Sequence, residues 1–243
     1  MPGQQKLMAQ LEVDSWSFWS PEADDPRAWL KHWQRPGAQP ADRDPPAELI
    51  PPMQRRRSSR LTKMALATAL QVAKDASFDY SIFCSQHGEI VRTRDILSSI
   101  NSGVEISPTA FSQSVHNTSS GLFTILQTSN APSMSMGSGA NSFAHGWLEA
   151  QAYLAGNPAH RVLLVDFDEL LPKEYQPYNI ISNCEHSLAM SLRLATTGGI
   201  NLTNMTAGDN SPLPQGPQFL DWLQGDGPSL SLTSDGMGWR WER

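Results

Sequence analysis

The segment Ala131–Phe143 (APSMSMGSGANSF) has the residue types from which α/β enzymes build a platform for a nucleophile. Pro132–Met136 reads as a short strand, Gly137-Ser138-Gly139-Ala140 as a tight turn of small residues, and Asn141 onward as a long helix. A helix start offers unpaired N–H groups and partial positive charge, which favour a thiolate or an oxyanion. The turn holds no cysteine. Its one hydroxyl, Ser138, has Met136 and Ala140 where a G-x-S-x-G elbow needs glycine. A dinucleotide fingerprint would need a third glycine where Ser142 stands, and an acidic residue after the next strand at the right spacing; neither is present.

Other reactive side chains are few. Cys84 lies inside the apolar run DYSIFCS and reads as a small buried hydrophobe. Cys184 sits beside Glu185 and His186, a pairing that an independent hydrolase or thioesterase could use, with Ser138 as the other candidate. His32, His87, His116, His145, His160 and His186 show no H-x-x-x-H or H-E-x-x-H spacing, so no metal site and no cofactor are expected. His116 and His145 flank the glycine turn and read as lining residues. Arg55-Arg56-Arg57, with Arg60 and Lys63, is the one basic cluster. At the entrance of a helix these cations oppose its dipole, which suits docking of an acidic partner.

The elements that must position these groups alternate between strand and helix. Leu11–Trp19 reads as an opening strand, followed by a Pro-rich surface excursion over 20–53 with one helical piece near Ala28–Trp33. Ser58–Ala76 is a helix with a broad apolar face, and Asp79–Ser85 a buried strand. Helices are expected over Arg92–Asn101 and Thr118–Leu126, with Pro108–Asn117 ambiguous between them. Asn141–Ala155 is the long helix, and Arg161–Asp166 an aliphatic strand of the parallel type. His186–Thr196 and Gly199–Met205 read as two strands paired through Thr197-Gly198. A short helix at Phe219–Leu223 and a hairpin of Ser229–Thr233 with Met237–Trp241 make up the terminal part, 209–243. This order implies a layered α/β domain with a mixed sheet, a single unit over 11–243.

Composition narrows the function classes. The chain has 243 residues, 17% charged, with net charge −6 and a pI near 5.5. That balance disfavours phosphate-backbone binding, so no nucleic-acid partner is expected. No run approaches the ~20 apolar residues of a membrane span. Met1–Gln10 lacks the apolar stretch of a secretory signal, and two cysteines imply no disulfide framework, so a cytoplasmic protein is expected.

One stretch, PTAFSQSVHNTSSGLFTILQTSNAPSMSMGSGANSF, resembles the core of the β-ketoacyl synthases, the condensing enzymes of fatty-acid and polyketide assembly. In that family a Pro-led segment precedes an Asn, a Gly four residues on, a G-P-S-x-S-x strand, small residues and the active cysteine. Asn117, Gly121 and Ala131–Met136 fall in register without a gap. The resemblance runs from Leu11 to Gly208 and is specific across Pro108–Phe143. Within the family the chain most resembles the short ketosynthase-like, chain-length-factor-like subunits of bacterial aryl polyene clusters.

The resemblance implies a thiolase-like half fold, a five-stranded mixed sheet with helices on both faces. It places Ala140 at the position of the condensing cysteine, so no catalytic residue is expected: a methyl group forms no thioester. It places Pro132, Ser133, Met134, Ser135 and Met136 at a dimer edge that pairs antiparallel with the same strand of a partner. It sets Ala110, Phe111, Gln113, Ser114 and His116 along the partner's acyl tunnel, with Phe111 the strongest candidate for closing it. The implied partner is a full β-ketoacyl synthase in a heterodimer, with acyl carrier protein reached through the complex and Arg55, Arg56 and Arg57 as its docking candidates. A homodimeric scaffold for carrier protein is the other binding role left open.

Overall fold

Alternating burial along the strands sets the layers. In the computed structural model, which describes residues 9–243, Tyr80, Ile82 and Cys84 of β2 (Tyr80–Cys84) join one apolar cluster, and Phe83 joins another. The same division runs through β4 (Arg161–Asp168), where Val162 and Leu164 face one way and Leu163, Val165 and Phe167 the other. Successive side chains on a strand point to opposite faces, so a strand buried on both sides must be covered by two layers. The expectation about a secretory segment falls mainly on residues 1–8, outside the described residues.

The main sheet has the order β1-β5-β4-β2-β3, built from β1 (Leu11–Trp19), β5 (His186–Leu194), β4, β2 and β3 (Ser133–Met136). Only β5 runs against its neighbours: it pairs antiparallel with β1 and β4, whereas β2 pairs parallel with β4 and β3. This is the α/β, thiolase-like arrangement, a five-stranded mixed sheet with helices on both faces. One face carries α3 (Arg60–Val72) and α6 (Thr118–Leu126), with Phe123 against Phe83 at 5.6 Å between ring centres. The other carries α7 (Ser142–Gly156). A Cβ added at Gly146 would overlap Cys84 Sγ, so this glycine lets α7 lie close against the sheet.

The second layer is completed from both ends of the chain. It holds α1 (Pro26–Trp33), α8 (Gln215–Leu223) and a separate sheet of order β6-β8-β7, from Asn201–Met205, Met237–Glu242 and Ser229–Ser234. Phe219 is the hub, 4.9 Å from Trp147, 5.3 Å from Phe143 and 5.9 Å from Trp241. The β7–β8 turn places Asp235 and Gly236 at φ 48 and 71, the left-handed pair a two-residue hairpin turn needs.

Two expectations are corrected, and one helix is added. The strands His186–Thr196 and Gly199–Met205 do not pair. Both edges of β5 are taken by β1 and β4, so β6 joins β8 instead, and only Leu11 and Ile200 bridge the two sheets. The helix expected over Ser58–Ala76 is present as α3, started by the Ser59 side chain accepting the Thr62 N–H, but a short helix not expected from the sequence, α2 (Pro52–Arg57), precedes it and ends at Ser58. The Pro-rich segment is more than a surface excursion. Residues 34–44 are exposed apart from the half-buried Ala38, but Trp29 and Ile50 are fully buried, and Trp29 Nε1–H donates to Glu185 O.

Among the described residues, no helix is long and apolar enough to cross a membrane.

Candidate functional site

Between β3 and α7 the chain makes the expected tight turn, and Gly139 takes φ +56. Ala140 sits at its end, 8% exposed. Several N–H groups at this helix start are already engaged. Asn141 and Ser142 donate to the carbonyls of Ser138 and Gly139, and Ser138 N–H donates to Ser142 Oγ at 2.9 Å. The Ala144 N–H donates to Gln215 Oε1 at 3.1 Å, so a side chain from α8 caps α7.

Asn141 fastens this turn to the second sheet. Its Nδ2 donates to Ser234 O, while its Oδ1 accepts from Gln215 Nε2 and from Trp239 Nε1 at 2.8 Å. His145 lies edge-on to Trp239, with ring centres 5.2 Å apart. Gly139 and Ala140 then border a cleft shared with Asp166, Asp168, His186 and Gln215, with a volume of about 10 Å³. A single water needs roughly 10–15 Å³, so no substrate enters here in this conformation.

A buried acid–base pair lies beside that cleft. His186 Nε2 and Asp166 Oδ2 are 3.0 Å apart, both almost wholly buried. Burial pushes the Asp166 carboxyl up; burial opposes a charged His186, but the hydrogen bond and charge of Asp166 carry its pKa above the usual value. Both directions follow from one proton shared across one buried hydrogen bond. Asp168 is occupied separately, accepting from Ser85 Oγ and from the Gln86 and His87 N–H groups.

The hydrolase candidates are not assembled. Cys184 Sγ–H donates to Ser182 O, and burial pushes its thiol well up, away from the reactive thiolate. Its sequence neighbour His186 bonds Asp166 instead. Ser138 makes its contact to Ser142 through its backbone, with no histidine or carboxylate bonded to its hydroxyl among the described residues. Cys84 is fully buried, with its thiol likewise pushed up by burial.

Among the described residues, the segment Pro132–Met136 forms a free edge of the main sheet, since β3 pairs there with β2 alone. Pro132 and Ser133 are exposed, while Met134 and Met136 pack partly on the core and Ser135 shares a hydrogen bond with Ser120. The Pro108–Asn117 segment contains a short helix α5 (Pro108–Ser112). Phe111 projects from it, 66% exposed. Ala110 borders a groove within the chain, Gln113 accepts from Arg92 Nη1, and Ser114 O accepts from Thr93. His116 turns inward: its Nε2 meets Ser85 O at 3.0 Å, and its ring occupies the space beside Gly88 and Gly137.

The basic cluster is placed differently from expectation. Arg55, Arg56 and Arg57 occupy the last turn of α2, not the entrance of α3. Cations at a helix C-terminus complement its dipole, so the electrostatic mismatch that favoured acidic docking is absent. Arg60 belongs to a different network, with Nε and Nη2 on Glu185 and Nη1 on Asp44.

Sequence inspection missed Asn141, Gln215, Trp239 and the His186–Asp166 pair as features of this site. Only the pair left a usable signal, because alternation places Asp166 and His186 on one face of neighbouring strands.

The family description "Beta-ketoacyl synthase, N-terminal domain" matches residues 29–242. A search of curated proteins found no match. Among solved structures, a ketosynthase (ApeO) in complex with its chain length factor (ApeC) from Xenorhabdus doucetiae is similar over 96% of this chain and 99% of the matched one, at 28% identity and TM-score 0.82. The ishigamide ketosynthase/chain length factor matches over 81% of this chain and 67% of the other, at 14% identity and TM-score 0.63. A type II PKS acyl-carrier protein in complex with its ketosynthase bound to the hexaketide (AntDE:AntF) matches over 84% and 70%, at 12% identity and TM-score 0.60. These last two establish likeness of fold.

Proposed function

We propose, from the premise that this chain belongs to the β-ketoacyl synthase N-terminal-domain family, that it is a non-catalytic, chain-length-factor-like subunit. It pairs with a full β-ketoacyl synthase and completes that enzyme's acyl tunnel during polyketide- or fatty-acid-type elongation of the aryl polyene kind. The partner supplies the nucleophile and takes its substrates from acyl carrier protein.

The observation that carries this reading is Ala140. It stands where a condensing enzyme needs sulfur, on a helix end already capped by Gln215 and beside a cleft too small for substrate. A covalent acyl intermediate needs a nucleophile, and the platform offers only a methyl group. The likeness to the ApeO–ApeC complex supports a heterodimer over a homodimer, because two copies of this chain would both lack the nucleophile.

Co-expression with a full β-ketoacyl synthase from the same organism is expected to yield an equimolar complex on light scattering. Recovery of both proteins as separate species would reject the proposal. The heterodimer also assigns the tunnel end to Phe111, whose ring is unburied on this chain alone. Phe111→Ala is expected to lengthen the products by at least one elongation step, read by mass spectrometry of carrier-bound chains, because removing a ring deepens an apolar channel. An unchanged product distribution would place the stop elsewhere.

A further inference from the structure

A groove between α4 (Ile90–Asn101), the start of α3 and the segment entering α5 lies apart from Ala140. Its volume is about 480 Å³, within the range of small-ligand sites. Val91, Ile96, Ile106 and Ala110 give it apolar walls. Glu169, just past the end of β4, reaches it while only 9% exposed, and its Oε1 has no hydrogen-bond partner. An unpaired buried carboxyl is costly, so the fold must hold it against a standing penalty.

The cations nearby are committed elsewhere. Arg60 holds Glu185 with Nε and Nη2, at 3.0 and 2.8 Å, and Asp44 with Nη1. Arg92 donates to Gln113 Oε1 and Arg57 O, and its Nε faces Glu89 at 3.5 Å. Glu89 Oε1 accepts the hydroxyls of Ser59 and Thr62, while its Oε2 has no hydrogen-bond partner. Asp95 and Glu105 stand along the groove as well. The groove therefore has carboxyl oxygens to spare and no free guanidinium.

We infer that this groove binds a primary ammonium group carried on an apolar stem, with the ammonium seated on Glu169 and the stem against Val91, Ile96 and Ile106. The ammonium supplies what Glu169 lacks, donors and positive charge together. An alcohol supplies only a donor, and a carboxylate meets repulsion from Glu89, Asp95 and Glu105. Burial, with Glu89, Glu185 and Asp168 adding like charge against the opposing pull of Arg60, raises the Glu169 carboxyl to about 8. At neutral pH it is mostly protonated. Binding then converts the acid to a carboxylate paired with the ammonium and sends its proton to solvent.

The test is calorimetric titration of the purified full chain with n-hexylamine, hexan-1-ol and hexanoate at pH 7, in two buffers of different protonation enthalpy. Hexylamine is expected to bind saturably and at least about tenfold more tightly than hexanol, a difference of ~1.4 kcal/mol. It should release close to one proton per site, a release that disappears above pH 9. Glu169→Gln is expected to weaken hexylamine at least about tenfold and to abolish proton release, with hexanol unaffected. The natural ammonium is a free amine or a lysine side chain of a protein partner. Hexylamine binding that persists in the ketosynthase complex supports the first source; binding blocked there supports the second. Equal affinity for hexanol, tighter binding of hexanoate, no saturable hexylamine binding, or an unchanged Glu169→Gln variant would each overturn the inference. The variant should melt no lower than wild type at pH 8.5, since it removes a charge the fold disfavours; a large drop would show that Glu169 is paired, and would overturn it too.

Discussion

A chain carrying Ser133→Pro is expected to fold normally and to lose its ketosynthase partner. The carbonyl of Pro132, just before β3, and that of Met136 at its end accept from Ser81 of β2 and from Ser85 just after it, at 3.2 and 3.1 Å. In a parallel pair, the N–H and C=O of one residue point to the same side, and successive residues alternate. The N–H of Ser133 therefore points away from β2, where the described chain places no strand. Proline there removes an outward donor and sets its ring against any strand that would add to this edge, while the β2 ladder stays intact. Each lost strand hydrogen bond costs about 0.5–1.5 kcal/mol, and the ring clash adds to it, so the complex should weaken by at least about tenfold. Met134→Pro is the contrasting variant, because its N–H faces β2 and its loss should lower the melting temperature. A Ser133→Pro chain that melts like wild type yet binds the ketosynthase with undiminished affinity would move the interface away from β3.

Trp241→Ala is expected to cost about 3–5 kcal/mol of folding stability, the usual loss for deleting a large buried aromatic side chain. Trp241 is fully buried, 5.9 Å from both Phe143 and Phe219. It ties β8 to α7 and α8, so its removal opens the layer covering one face of the main sheet. Since a domain of this kind holds only about 5–15 kcal/mol in total, the variant should be marginal at physiological temperature. Denaturant unfolding monitored by circular dichroism measures the change. A loss below about 1 kcal/mol would mean that the second sheet is an appendage that the main core does not need. A large loss makes residues 201–243 part of the same folding unit as the Ala140 turn, which they hold through Trp239, Ser234 and Gln215.

These expectations rest on features of differing legibility. Most strands and helices from Leu11 to Ala155 are readable because each carries its own period of apolar residues and its own turn chemistry; the five-residue α5 is too short to show one. Helix α2 is not, because its six residues follow Pro51 and show no apolar period of their own. The β5–β6 pairing failed for another reason. Proximity in sequence favours a hairpin, but both sides of β5 are claimed, one by the preceding strand β4 and the other by β1 from the start of the described chain.

The sequence by itself determined that an alanine stands at position 140, and that strand, small-residue turn and helix follow one another there, because residue identity and local period are properties of the chain alone. Only the tertiary structure decided what surrounds that methyl. Gln215 and Trp239 cap and lock the start of α7, and His186 meets Asp166 beside it. Hydrogen bonds between groups so far apart in sequence depend on how whole layers pack, and no local pattern records which distant polar group each buried donor will find.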